Sequence, residues 1–154
     1  MIVRVTTLYG LVLATACITP PNTYPEPKPV IIAAPRDAVW PAIVESAGSY
    51  GLVVSTIDRG SGIVQSGRML APSDTNDWDC GYSTAYEGPM IHPVLVVLTI
   101  TAVPFGRDST RLRATANPGL PRLGTTEKYQ CVSKGQLEAR IIRSILDAWT
   151  QLRR

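Results

Sequence analysis

Hydrophobic and polar positions alternate most cleanly over residues 94–103, where Val94, Val96, Leu98, Ile100 and Ala102 line one face without a polar interruption. A period of two belongs to a strand, because successive side chains point to opposite faces of a sheet. Residues 105–108 (FGRD) read as a turn. Residues 110–116 then return with Leu112, Ala114 and Ala116 on one side and Arg111, Arg113 and Thr115 on the other. This pattern predicts an antiparallel hairpin with one face buried and the arginines in water. A second hairpin is predicted from residues 52–58 and 63–69 around the turn Arg59-Gly60-Ser61-Gly62. Residues 30–33 (VIIA) read as a short apolar strand.

The period changes to that of a helix in two places. After Pro35, which suits a first helical turn, Val39, Trp40, Ile43, Val44 and Ala47 share one face, with Asp37 near the positive end. Pro41 conflicts with this helix, since a proline past the first turn removes a hydrogen bond, so a bend or a late start is expected. Gly48 and Gly51 close it. At the C-terminus, Leu137, Ile141, Ile145, Trp149 and Leu152 form a stripe, widened by Ile142, Leu146 and Ala148. Ser133 and Gln136 have the spacing of a capping box. Residues 71–93 and 117–124 read as loops, and residues 125–132 as one further short strand. The order β-α-β-β-β-β-(β)-α predicts an α+β domain, an antiparallel sheet with helices packed on one face.

The first seventeen residues have a different character. Arg4 gives a short basic start, and residues 5–14 form an apolar run too short for a bilayer span, which needs about 20 residues, but suited to a secretory signal. Leu13-Ala14-Thr15-Ala16-Cys17 resembles the lipobox of bacterial lipoproteins, with a small residue before a lipidated cysteine. Ala14 departs from the pattern, since leucine is commoner there. A leader cleaved without lipidation, or a buried N-terminal strand, are the other readings. The resemblance implies acylation of Cys17 and anchoring to a membrane, and several acyl chains hold stably where one does not. Ile18 follows the cysteine, not the Asp associated with inner-membrane retention, so the resemblance implies the outer membrane with the domain facing the periplasm. Residues 1–16 are then a signal peptide, 17–29 the anchor and a tether, and 30–154 one domain. Five prolines in residues 18–29 favour an extended, polyproline-like spacer. The element order, leader and linker together are similar to the helix-grip domains of the C-type lipoprotein of the outer-membrane protein assembly machine.

Charge adds little, because a net +3 across 154 residues is too small to argue for nucleic-acid binding. Cysteine usage adds more. With Cys17 acylated, Cys80 and Cys131 remain as an even pair in an oxidising compartment, and a disulfide is expected. It would close a loop of about 50 residues, a constraint of about 4 kcal/mol. Two free thiols or half of a metal site are the alternatives, the latter poorly supported because no histidine lies near either cysteine.

Catalytic groups are sparse. His92 is the sole histidine, next to Pro93 at the start of the main strand, and reads as a strand-entry residue. No G-x-S-x-G turn exists to raise a nucleophilic serine. A non-enzymatic protein without cofactor or metal is therefore expected. Its partner would be an envelope protein or cell-wall component, bound in an assembly or secretion complex. The candidate contact residues are Trp78, Tyr82 and Tyr86 on the long loop, and Arg107, Arg111 and Arg113 on the hairpin. The aromatics could equally pack over the sheet. Asp74, Asp77, Asp79 and Glu87 concentrate oxygens in the same loop, so a metal- or glycan-binding protein or a hydrolase is the rival reading. Their spacing misses the calcium-loop pattern.

Overall fold

Alternation over residues 94–104 becomes a strand with Val94, Val96, Leu98, Ile100 and Ala102 buried, and Leu95, Val97 and Val103 exposed. The computed structural model describes residues 18–70, 76–83, 88–89, 94–119 and 131–154. In chain order these form β1 (Ile18–Thr19), β2 (Val30–Ile32), α1 (Arg36–Ala47), β3 (Val53–Asp58), β4 (Ile63–Leu70), β5 (Trp78–Asp79) and β6 (Tyr82–Ser83). There follow β7 (Gly88–Pro89), β8 (Val94–Pro104), β9 (Thr110–Gly119), β10 (Val132–Ser133) and α2 (Gln136–Leu152). The main sheet has the order β2-β9-β8-β4-β3, with every pairing antiparallel. The protein is an α+β domain, as the alternating and helical periods predict.

Strands β2 and β3 are neighbours in the sheet's connectivity but lie at its two opposite edges. The chain between them must therefore cross the full width, and α1 does so, packing on β3, β4 and β8. The second helix, α2, packs on β9 and on α1. Val39, Trp40, Ile43 and Ala47 from α1 meet Leu137, Ile141 and Ile145 from α2 over the apolar face of β8 and β9. Ser144 donates to Ser46 at 3.2 Å across the helix pair. The C-terminal stripe thins toward its end, since Trp149 is only partly buried and Leu152 is exposed.

Three local expectations change. Helix α1 runs without interruption from Arg36, so Pro41 neither delays it nor ends it. Pro41 lies on the exposed side, where water can meet the Asp37 carbonyl that its ring leaves unpaired. The expected capping box is absent, because Gly135 is the N-cap of α2 in a left-handed conformation. Ser133 instead accepts from the Gly135 N–H at 3.0 Å and donates to Glu138 at 2.9 Å. Finally, β9 continues through Pro118 to Gly119. Its outer side is paired to β2 only as far as Leu112, so Pro118 removes no hydrogen bond from that neighbour.

Leu98 and Leu95 lie on the same strand but on opposite faces, and they separate packing from propensity. Leu98→Ala is expected to cost about 2–5 kcal/mol through loss of a filled core site. Leu95→Ala should stay within about 1 kcal/mol. Urea unfolding of both variants measures the difference.

Candidate functional site

The site is built from chain segments far apart in sequence. The Cys80 and Cys131 sulfurs stand at disulfide distance, 1.97 Å, with their Cα atoms 4.0 Å apart. Beside them β5 and β10 pair antiparallel, Asp79 opposite Val132 and Trp78 opposite Ser133. The Lys134 N–H donates to the Asp77 carbonyl at 2.9 Å, so the ladder runs to the start of α2. Arg140, one turn into α2, donates to the Asp77 carboxylate from Nη1 at 3.1 Å and again from Nη2. This bidentate arrangement holds residues 77–80 against the helix.

Asp79 projects from that ladder and gathers four donors. Its carboxylate accepts from the Gly81 N–H at 2.8 Å and the Asn22 N–H at 3.0 Å. It also accepts from the Asn22 side-chain amide at 2.9 Å and the Tyr24 hydroxyl at 2.9 Å. Partial burial pushes the Asp79 carboxyl up, but the hydrogen bonds from Gly81, Asn22 and Tyr24 outweigh this and hold its pKa at about 2. The same carboxylate pushes the Tyr24 hydroxyl above its ordinary value. Gly81 adopts φ +82°, and a Cβ there would lie 2.3 Å from the Thr19 carbonyl oxygen. Only glycine permits that approach.

These contacts revise the expectation of a free spacer. Residues 18–29 form a strap laid along the domain. Ile18 and Thr19 pair with Ser83 and Tyr82, which in turn pair with β7. Beyond β1, Pro21, Tyr24, Pro27 and Val30 are half-buried while the two residues between each of them are exposed. Three residues per turn is the repeat of polyproline II, so one edge of that helix faces the protein. Glu26 forms an ion pair with Arg113 on β9. The strap lies beyond the end of β2, along the β9 edge that β2 leaves uncovered. Its prolines lack the N–H groups that would let it extend the sheet there.

The β9 edge beyond β2 is also met by α2. Glu138, 1% exposed, accepts from the Ala116 N–H at 3.1 Å and from Ser133. One buried carboxylate thus joins β9, β10 and α2. In the sequence Glu138 is one polar position on a helix, and nothing local marks this role.

The candidate residues fall into different places. Trp78 is 3% exposed and belongs to the core, so it is not a contact residue and the packing alternative holds for it. Tyr82 lies in β6, and its side chain is outside the described residues, as are Cys17, Asp74, Tyr86, Glu87 and His92. Arg111 stacks over Phe105 with its guanidinium carbon 4.3 Å from the ring centroid. Arg107 is exposed in the turn, and Arg113 is engaged by the strap. The oxygens of Asp77 and Asp79 are occupied by Arg140 and the strap donors, so the two do not converge on a cation. No metal-ligating group of three is found among the described residues, and no described helix is long and apolar enough to cross a membrane. No known family model matches the chain, and no curated protein is similar to it.

Two measurements test this construction. The Asp79 carboxyl is depressed in the folded state from 3.8 to about 2, so its stabilisation is complete above about pH 4 and is lost as pH falls toward 2. Amide protection factors in residues 19–26, taken relative to intrinsic exchange at each pH, should therefore fall across that window in wild type. The Asp79→Asn variant should show low protection factors at every pH, with no such step. Glu138→Ala should destabilise the domain by about 1–3 kcal/mol, because the Ala116 N–H is left buried and unpaired. Glu138→Gln, which keeps an acceptor oxygen, should lose less than half as much by denaturant titration.

Proposed function

We propose that the chain is a bacterial envelope lipoprotein that binds another envelope component without performing catalysis. Acyl chains on Cys17 hold it in the outer membrane, and the domain faces the periplasm as an accessory module of an assembly or secretion complex. The observation that carries this reading is the segment Leu13-Ala14-Thr15-Ala16-Cys17 directly before a proline-rich stretch. The Cys80 and Cys131 sulfurs at bonding distance suit an oxidising compartment.

The docked strap alters how such an anchor would work. Ile18, next to Cys17 in sequence, pairs with Ser83, so a docked strap leaves little spacer between an anchor and the domain. A released strap of twelve residues would instead allow roughly 35–40 Å of reach at about 3.1 Å per residue. Arg107 and Arg111 remain the hairpin groups suited to acidic lipid or cell-wall chemistry, and Tyr82 and Tyr86 the aromatic candidates for a protein partner. Engagement of Asp77 and Asp79 within the protein weighs against a metal- or glycan-binding role for their loop.

Metabolic labelling with an alkyne fatty acid checks the anchor. Wild type should carry the label in the membrane fraction, and Cys17→Ala should carry none. Absence of label on wild type, or its persistence on Cys17→Ala, would overturn the lipoprotein reading.

A further inference from the structure

The strap is a ligand in all but connectivity. It is extended, presents every third side chain to the protein, and is recognised by an acceptor, Asp79, and a cation, Arg113. It is also flanked by open space among the described residues. A groove of about 450 Å³ separates it from the β9 edge on one side, and one of about 530 Å³ runs between it and α2 on the other. Asn22 and Glu26, which make most of its polar ties, are themselves exposed. Segments held at a few points, with open grooves beside them, open locally at low cost.

We propose that this cradle is a binding site for extended proline-rich peptides, and that the chain's own strap is its resident ligand, displaced when a partner protein's segment binds. Its elements are Asp79, Arg113 and the Ala139, Ile142 and Leu146 face of α2. A polyproline II segment suits it because that conformation is preformed and carries no internal hydrogen bonds to break. The contacts define the ligand's chemistry. Apolar or aromatic side chains recur every three residues, amide and hydroxyl donors face Asp79, and a carboxylate two positions after the aromatic donor meets Arg113. Binding in trans must displace a competitor tethered in cis, whose effective concentration is in the millimolar range.

The inference deepens the binding-module reading and rests on it for biological setting, but the site itself does not need the lipid. Failure here with successful labelling of Cys17 would remove this site and leave the anchor standing.

The test uses the full chain and a fluorescent peptide of residues 18–30 as the probe. Asn22→Ala with Tyr24→Phe weakens the resident strap and leaves the cradle intact. Anisotropy should show the peptide binding this variant at least about tenfold more tightly than wild type, because the cis competitor has been weakened. Adding Arg113→Glu should abolish that gain, and a peptide carrying Glu26→Lys should restore it. The melting temperature of each variant confirms that it is folded, and Arg113→Glu lies on an exposed strand face away from the core. No binding to the strap-weakened chain, or binding indifferent to Arg113→Glu, would overturn the proposal. So would concentration-dependent dimers of wild type that exchange straps, since the occupant would then be a second copy of the chain.

Discussion

The apolar face of β8 is the constraint on which the other elements depend. Five consecutive inward positions, from Val94 to Ala102, are at most 2% exposed. Burying them requires cover over one side of the sheet, and two helices supply it. The crossover from β2 to β3 brings α1 across the whole width, and the end of the chain brings α2 beside it. The opposite face mixes threonines, Gln65 and the hairpin arginines with the exposed Ile31, Leu95, Val97 and Val103. Sheets with this asymmetry are stable with one wet side.

The strap site depends on a different constraint, the closeness of residues 80 and 131. The disulfide-distance pair holds β5 beside β10, and β10 leads directly into α2. Asp79 is thereby presented at a stable position, where it can order a segment with few contacts of its own. The arrangement joins a buried region to a superficial one. Trp78, Cys80 and Glu138 are buried, whereas the strap rests on hydrogen bonds, one ion pair and every third side chain. A polyproline segment tolerates this because it needs no hydrogen-bonded neighbour. It also cannot become a sixth strand of the sheet, which leaves grooves beside it where a strand would have packed.

Much of the fold was legible because its signals are local and repeated. Period two over β8 and β9, the glycine-rich turn before β4 and the wide stripe of α2 each state their structure within a dozen residues. The misreadings share a cause, which is that a competing contact won over the local pattern. The 133–136 spacing suggested a cap, but Ser133 is drawn to Glu138 and Gly135 takes the cap position. Trp78 read as a possible exposed anchor because its loop is polar. In the folded chain, the pairing of β5 with β10 turns it into the core.

The candidate site shows the division most clearly. By itself the sequence determined an antiparallel α+β domain, a proline-rich segment unable to enter a sheet, and two cysteines suited to pairing. Those properties follow from side-chain periodicity, the missing proline N–H and the count of thiols. Only the tertiary structure decided that the proline-rich segment folds back, with Asn22 and Tyr24 reaching Asp79 and Glu26 reaching Arg113. Those partners lie more than fifty residues apart along the chain. Nothing local marks such contacts, because an exposed Asp, Tyr or Glu satisfies water equally well until packing brings its partner within reach.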